Sequence, residues 1–184
     1  MTTLDTLLER NQDFASHQFS KDLPSMPPTL KAIIIGCLDQ RVDPALLLGL
    51  KLGDAIVIRN VGGRITPATL QTMQMLGRIA QAGGANLAGS SFHLIVLQHT
   101  QCGIARFEGS PEMLASYFGI GTEGLKAKAV TDPHAAVAAD VAALKAIPAL
   151  PGGWLVSGLV YDVTTGLVDV VVPPAPLCHP ESNE

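Results

Sequence analysis

Two cysteines and one histidine, Cys37, His99 and Cys102, are residue types that together suggest a metal site. Zinc takes cysteine sulfur and histidine nitrogen in tetrahedral geometry, and three protein ligands leave a fourth position open. An open position is typical of a catalytic zinc site, where a bound water can reach a pKa of about 7. The residues therefore predict zinc as the cofactor and hydroxide chemistry at neutral pH.

Each of these signals is weak alone, and a structural interpretation of each residue stays open. Free cysteine is among the most buried residue types and packs as a small hydrophobic side chain. A histidine at the end of a strand usually makes an ordinary hydrogen bond. The positions favour the metal interpretation, because Cys37 and His99 each follow an apolar run, and Gly36 and Gly103 lie beside the two sites.

Asp39 and Arg41 form a second chemical pair close to Cys37 in the sequence. Side chains two positions apart in an extended chain point to the same side. An arginine beside an aspartate keeps the carboxylate ionised and orients it as a hydrogen-bond acceptor. Next to a metal-bound hydroxide, such an acceptor would aim the oxygen at a substrate, so we predict that both residues are catalytic. A structural ion pair at the turn is the alternative.

Apolar runs rich in β-branched residues must position these side chains. Such runs are typical of strands buried on both faces of a parallel sheet, and ligands gather at the carboxyl ends of such strands. Alternation with helices predicts an α/β fold: a mostly parallel central β-sheet flanked by helices, with a C-terminal strand hairpin that turns at Asp162–Gly166. The predicted strands are Ala32–Ile35, Ala55–Arg59, Phe92–Gln98, Trp154–Tyr161 and Leu167–Val172.

Helices are predicted where a capping side chain comes just before a proline. The capping pairs are Asp43-Pro44, Thr66-Pro67, Ser110-Pro111 and Asp132-Pro133, and the helices run over 44–48, 67–81, 111–118 and 133–146. Thr3–Phe14 has leucines at helical spacing and predicts a short amphipathic helix, which must pack on something to be stable. From the residues alone, this could be its own domain or a second subunit.

Length and composition indicate a single domain over 1–184, with a helical arm over about 3–28, a catalytic core over about 31–172 and a polar tail over about 173–184. A formal net charge of −4 without a basic stripe argues against nucleic acid as a partner. No apolar run is long enough to cross a membrane, and the N-terminus does not resemble a secretory signal. An odd number of cysteines, with Cys178 in the tail, predicts a reducing, cytoplasmic location.

The spacing Cys37-x-Asp39-x-Arg41, followed by His99-x-x-Cys102-Gly103, resembles the β-class carbonic anhydrase family, in particular its compact members. Two further stretches are similar to family patterns, and the resemblance covers about Lys31 to Val172. These stretches are Gly53-Asp54-Ala55 with Arg59-Asn60-Val61-Gly62-Gly63, and Gly158-Leu159-Val160-Tyr161-Asp162-Val163 with Thr165-Gly166.

This resemblance implies a carbonate dehydratase, a lyase that reversibly hydrates carbon dioxide to bicarbonate through a zinc-bound hydroxide. It implies that Cys37, His99 and Cys102 hold the zinc. It also implies that Asp39, paired with Arg41, orients the hydroxide and can leave Arg41 to close the site. The family's N-terminal helix embraces a second subunit, which implies a homodimer or higher homo-oligomer.

Two alternative functions stay open beside carbon dioxide hydration. Hydrolysis of carbonyl sulfide or carbon disulfide uses the same ligands. The other alternative is a non-catalytic zinc-binding or redox-sensing protein, but the Asp39–Arg41 pair argues against it, because a purely structural zinc normally has a fourth cysteine or histidine. The sequence departs from the family at Gln101, where many compact members carry aspartate, and at Val61, where alanine is usual. Gly62-Gly63 would allow a close backbone approach, whereas Arg59-Asn60 could either face solvent or brace the pocket.

Overall fold

Strands make up the centre of the structure, a computed structural model that describes residues 2–23, 25–85, 91–151 and 153–177. In chain order they are β1 (Ala32–Cys37), β2 (Ala55–Asn60), β3 (His93–His99), β4 (Leu155–Tyr161) and β5 (Val168–Pro176). They form one sheet in the order β2-β1-β3-β4-β5, parallel from β2 to β4, with β5 antiparallel to β4. The predicted α/β fold with its C-terminal hairpin is therefore confirmed.

Strand β1 occupies the middle of the parallel part of the sheet, and all of its residues are buried. Its three consecutive isoleucines, 33 to 35, suit a strand that is covered on both faces. Cys37 at its end pairs with Asn60 of β2, and Gly36 pairs with Leu97 of β3. Because the carboxyl ends of parallel strands meet at one edge, Cys37 and His99, the last residues of β1 and β3, share that edge.

The described residues contain five helices and three short 3₁₀ turns, and all except the first helix lie between strands. The helices are α1 (Thr3–His17), α2 (Pro44–Leu47), α3 (Pro67–Ala82), α4 (Pro111–Phe118) and α5 (Pro133–Lys145), and the turns are Val61–Gly63, Gly103–Phe107 and Thr122–Lys128. The caps predicted at Asp43, Thr66 and Asp132 are confirmed, since each side chain accepts a backbone N–H. The cap predicted at Ser110 is wrong, because its ψ of 65° takes the hydroxyl away from the extended geometry that capping requires.

The main hydrophobic core lies between the sheet and α5. Side chains of β1 and β3, such as Ile35 and Leu94, pack with Val137 and Leu144 of α5. Each large apolar side chain buried in this way contributes about 1.5–3 kcal/mol. The burial gives the two strands that carry the candidate metal ligands a fixed position relative to each other.

Most predicted element bounds lie within a residue or two of the observed ones, with two exceptions. Helix α1 ends at His17 rather than Phe14, and β5 continues past Val172 to Pro176, followed by a buried Leu177. The end of the predicted polar tail, with Cys178, lies outside the described residues, and the division into arm, core and tail stays a prediction. Within the described ranges, no helix is long and apolar enough to cross a bilayer.

Candidate metal centre

The structure brings Cys37, His99 and Cys102 together at the carboxyl edge of the sheet. Their two sulfurs and one imidazole nitrogen all lie within 4.8 Å of one another, and the two sulfurs are 3.8 Å apart. Cys102 reaches this position from the turn that follows β3. The chain thus presents two sulfurs and a nitrogen around one point, and the role of these residues as ligands stays a prediction.

His99 is oriented in the way that a metal-binding histidine requires. Its Nδ1 lies 2.8 Å from the carbonyl oxygen of Thr100, so Nδ1–H donates to that oxygen and Nε2 carries the lone pair. Nε2 is buried and makes no hydrogen bond to any described residue. Buried polar atoms are rarely left without a partner, and an imidazole held through its other nitrogen is typical of metal sites. The donor set therefore fits zinc.

The thiols of Cys37 and Cys102 are in direct contact. A hydrogen bond from the Cys102 thiol is the main factor that lowers the pKa of Cys37 to about 4, and the backbone N–H of Asp39 also points at the Cys37 sulfur at 3.4 Å. The same hydrogen bond raises the pKa of Cys102 above its ordinary value, with burial adding to the effect. These shifts favour the thiolate form of Cys37 over that of Cys102, and a divalent cation held here would require both sulfurs to be deprotonated.

Asp39 and Arg41 form the two-pronged ion pair that the sequence suggested. Arg41 donates from Nε to Oδ1 at 3.0 Å and from Nη2 to Oδ2 at 2.7 Å, and its backbone N–H donates to Oδ1 at 2.9 Å. The Arg41 guanidinium is the main cause that holds the pKa of Asp39 well below its usual range. The carboxylate is thus ionised and fixed in one orientation beside the cysteine cluster.

Arg59 braces the segment that carries Cys37 and Asp39. Its guanidinium donates to the carbonyl oxygen of Cys37 at 2.9 Å, to the carbonyl oxygen of Asp39 at 2.9 Å and to the Asp43 carboxylate at 2.6 Å. The neighbouring Asn60 side chain bonds to backbone groups of the next turn and to a buried threonine. Of the two interpretations that the sequence left open for Arg59-Asn60, bracing is confirmed.

Gly63 sits where two strands and a turn crowd together. It has a φ of +63°, and a Cβ there would lie 2.9 Å from both the Cys37 nitrogen and the Leu97 carbonyl oxygen. These are backbone atoms of β1 and β3, which cannot move without disturbing the sheet. The predicted close approach at Gly62-Gly63 is therefore confirmed, and glycine is required at Gly63 on two separate grounds.

We expect Gly63→Ala to lower the free energy of unfolding more than Gly49→Ala does. Gly49 has an almost identical φ of +64°, but no atom of the described residues lies within 4 Å of a Cβ there. The control therefore carries only the left-handed strain, about 1–2 kcal/mol, while Gly63→Ala adds overpacking of about 1–3 kcal/mol. Urea unfolding of both variants measures the difference. Equal losses would show that the backbone around Gly63 relaxes freely.

A buried ion pair behind the site was not predicted from the sequence. Arg64 and Asp140 are 1% and 0% exposed, and Arg64 Nε donates to Asp140 Oδ2 at 2.7 Å. Gln98, the neighbour of His99, donates to the same oxygen at 3.0 Å, and the second arginine nitrogen reaches the Lys128 carbonyl at 2.7 Å. Burial raises the pKa of Asp140 against the opposing pull of Arg64. No local spacing connects positions 64 and 140.

Tyr117 is a second residue near the site that the sequence did not indicate. Its hydroxyl donates to the Val61 carbonyl oxygen at 2.7 Å, which ties α4 to the turn after β2. Burial is the main factor that raises the pKa of Tyr117 to about 12. The tyrosine therefore stays protonated and holds the turn that carries Gly62 and Gly63.

Comparison with known proteins matches this fold and site to one family. The family model for carbonic anhydrase matches residues 32–118. Beta-carbonic anhydrase 1 of Mycobacterium tuberculosis is 29% identical over 174 residues, which cover 94% of this chain and 100% of that protein. The crystal structure of the carbonic anhydrase from Streptococcus mutans is 30% identical, covers 93% of this chain and 98% of that chain, and superimposes with a TM-score of 0.68. The chain belongs to the β-carbonic anhydrase family.

Another relative carries a different activity in its name. The carbon disulfide hydrolase of Acidianus sp. (strain A1-3) is 30% identical over 115 residues, which cover 62% of this chain and 49% of that protein. The match to the β-carbonic anhydrase of M. tuberculosis covers far more of both chains. The resemblance identified from the motifs is thus confirmed. Of these two curated relatives, the carbonic anhydrase covers more of the chain than the hydrolase does.

Proposed function

We propose that this chain catalyses the reversible hydration of carbon dioxide to bicarbonate with a zinc ion held by Cys37, His99 and Cys102. The observation that carries the proposal is the buried His99 Nε2, which has no partner among the described residues and lies within 4.8 Å of both sulfurs. Bound there, zinc would act as a Lewis acid that makes water a nucleophile near neutral pH. Full-length relatives in the carbonic anhydrase family support the reaction.

The chain's own contribution is a fixed acceptor beside the metal ligands. Asp39 cannot rotate freely, because both of its oxygens are held by Arg41. Arg59 holds the backbone under it through the carbonyl of Asp39 itself. An acceptor in this place orients the O–H of a nearby water and leaves an oxygen lone pair free to face the substrate. No nucleophile from the protein is required.

Metal content and carbon dioxide hydration, measured on the same preparations, test the proposal. We expect about one zinc per chain in protein purified without added metal, as a three-ligand site requires. Cys102→Ala should lose zinc and hydration together, whereas Cys178→Ala, which removes a cysteine outside the ligand set, should keep both. The ligand set would be refuted if the parent lacks zinc and cannot be reloaded with it. It would also be refuted if Cys102→Ala retains zinc.

Hydrolysis of carbon disulfide is the second candidate, and the similarity to the Acidianus hydrolase is the observation that favours it. Both reactions add water to a linear triatomic carbon compound and need the same three ligands. Parallel assays of the parent protein with carbon dioxide, carbonyl sulfide and carbon disulfide decide between them. A protein that turns over the sulfur compounds but not carbon dioxide would move the assignment to this candidate.

We expect the protein to form at least a dimer through α1. No residue of this helix is fully buried, and Leu4, Leu7 and Leu8 are 63%, 55% and 54% exposed. Burying such leucines in a subunit interface would contribute about 1.5–3 kcal/mol each. Light scattering should show a dimer or larger, and the double variant Leu7→Glu, Leu8→Glu should shift it towards monomer.

The matched control for this dimer prediction is Glu9→Lys, which changes charge on the opposite face of α1. It should leave the oligomeric state unchanged. A parent protein that is monomeric at micromolar concentration would contradict the prediction.

We also propose a cytoplasmic location, because the site needs both thiols in reduced form. Cys37 and Cys102 are free, with sulfurs 3.8 Å apart, and a disulfide between them would remove two of the three ligands. Detection of the protein in a fraction outside the cytoplasm would contradict this.

A further inference from the structure

The hairpin between β4 and β5 lies directly beside the strand that ends in His99. His99 of β3 pairs with Tyr161 of β4, and the next residue, Thr100, donates its backbone N–H to the Tyr161 carbonyl at 2.9 Å. Asp162 follows Tyr161 and begins the hairpin turn. The motif around Asp162, which the proposed mechanism does not use, is therefore in contact with the residue next to a candidate metal ligand.

Every polar group of Thr100 is engaged. Its hydroxyl donates to Asp162 Oδ1 at 3.3 Å and accepts the backbone N–H of Val163 at 3.1 Å. Its carbonyl oxygen accepts the Nδ1–H of His99 at 2.8 Å. The hairpin thus fixes Thr100 from one side, and Thr100 presents its carbonyl to the imidazole on the other.

The peptide group between Thr100 and Gln101, which carries this carbonyl, needs neighbouring contacts to hold its conformation. Gln101, the residue that follows, has a φ of +55°, a conformation that costs a non-glycine residue about 1–3 kcal/mol. Strained conformations of this kind persist only where the surroundings determine them. Two anchors do so here: Asp162 holds the Thr100 side chain, and Arg41 Nη2 reaches the Gln101 carbonyl at 3.4 Å.

Asp162 itself is held rigidly. Its Oδ1 also accepts the backbone N–H of Thr164 at 2.8 Å and the Thr164 hydroxyl at 2.6 Å. Its backbone N–H and carbonyl close the turn with Leu167 and Gly166, both at 2.9 Å. The carboxylate that receives the Thr100 hydroxyl therefore has a fixed position in the fold.

We propose that Asp162, acting through Thr100, is a positioning residue that fixes the tautomer and orientation of the His99 imidazole for metal binding. The inference rests on the proposed function in that it takes His99 as a zinc ligand. The chain of contacts runs from the Asp162 carboxylate to the Thr100 hydroxyl, and from the Thr100 carbonyl to His99 Nδ1. Partners of this kind behind a ligating histidine contribute about 10–100-fold to metal affinity.

The test uses three variants of the zinc-loaded protein and measures the rate at which zinc passes to a chromophoric chelator. Thr100→Val keeps the side-chain shape, removes the hydroxyl, and should release zinc about 10–100-fold faster than the parent. Thr100→Ser restores the hydroxyl and should release zinc at nearly the parental rate. Thr164→Val removes a hydrogen bond to the same Asp162 oxygen but leaves Thr100 in place, and should also resemble the parent.

Two results would overturn the inference. The first is that Thr100→Val releases zinc at the parental rate. The second is that Thr164→Val releases zinc as fast as Thr100→Val does, which would indicate that the hairpin has a purely structural role. If Thr100→Val does not fold, ¹⁵N NMR of His99 in the parent still decides, because an Nε2–H tautomer would exclude the proposed contact. A parent that binds no zinc refutes the proposed function instead, so the two failures are distinguishable.

Discussion

Replacing Arg41 by alanine should reduce carbon dioxide hydration near neutral pH by about 100-fold or more, the size of effect seen when a positioned acid–base group is lost. The substitution removes the guanidinium contacts to both Asp39 oxygens and leaves only the backbone N–H at 2.9 Å. With zinc held by Cys37, His99 and Cys102 as proposed, the released carboxylate would be free to compete with water for the remaining position. Since hydroxide competes for that position better than water does, part of the activity should return in alkali.

Controls separate the orientation of Asp39 from the loss of a positive charge. Arg78→Ala removes an arginine outside the site and should have little effect. Arg41→Lys keeps the charge but loses the two-pronged geometry, so its rate should lie between those of the parent and Arg41→Ala. Asp39→Ala should keep its zinc but also lose about 100-fold in rate. If Arg41→Ala and Asp39→Ala match the parent at every pH with full zinc, the pair is only structural.

The same pair predicts how stability depends on pH. The Arg41 contacts hold the pKa of Asp39 below its ordinary value of 3.8. A depressed carboxyl pKa stabilises the fold above the ordinary value, and this contribution is lost as the pH falls towards the folded-state pKa. Arg41→Ala should therefore differ most from the parent in stability at neutral pH, and the difference should shrink in acid below about pH 4.

Asp140→Ala should lower the free energy of unfolding by about 3–5 kcal/mol, because it leaves the buried Arg64 charge without its partner. Arg64 is 1% exposed, so its guanidinium is shielded from bulk solvent and loses its charged partner. Gln98 and the backbone N–H of Ile65 lose the same acceptor oxygen. Urea denaturation of the zinc-loaded protein measures the effect, and Asp22→Ala, at an exposed position, should stay within about 0.5 kcal/mol of the parent.

A double variant distinguishes a lost ion pair from a lost side-chain volume. Arg64→Met with Asp140→Leu removes both charges and keeps apolar bulk, so it should be more stable than Asp140→Ala alone. The loss of stability in the double variant could instead equal the sum of the losses in its two component single variants. In that case the two residues contribute independently, and no charge coupling exists between them.

The features that sequence predicted well are those determined by neighbours along the chain. Isoleucines 33 to 35 specify a buried strand, and the strand ends then place Cys37 and His99 at one edge of a parallel sheet. Asp43 and Asp132 precede prolines and cap helices, because only a few successive residues take part in a cap. The pairing of Asp39 with Arg41 is equally local.

The features that sequence missed depend on how distant elements pack. Helix α5 is rich in alanine on all sides, so nothing in its pattern indicates that Asp140 faces inward towards Arg64. The link from Asp162 to Thr100 depends on the register between β3 and β4, which no single segment specifies. Ser110 carried a good local capping signal, but a turn immediately before α4 set a different backbone angle.

The placement of β1 between β2 and β3 has a consequence for the timing of metal loading during synthesis. Ala32 pairs with Ala55 on one side and with His93 on the other, so both neighbours of β1 are made after it. While Cys102 has not yet emerged from the ribosome, the nascent chain exposes at most two of the three candidate metal ligands. Pairing of β3 with β1 closes a long loop in the chain, and closing a long loop is slower than forming a helix or a turn. Metal capture should therefore come late, and its rate in a refolding experiment should report completion of the β1–β3 pairing.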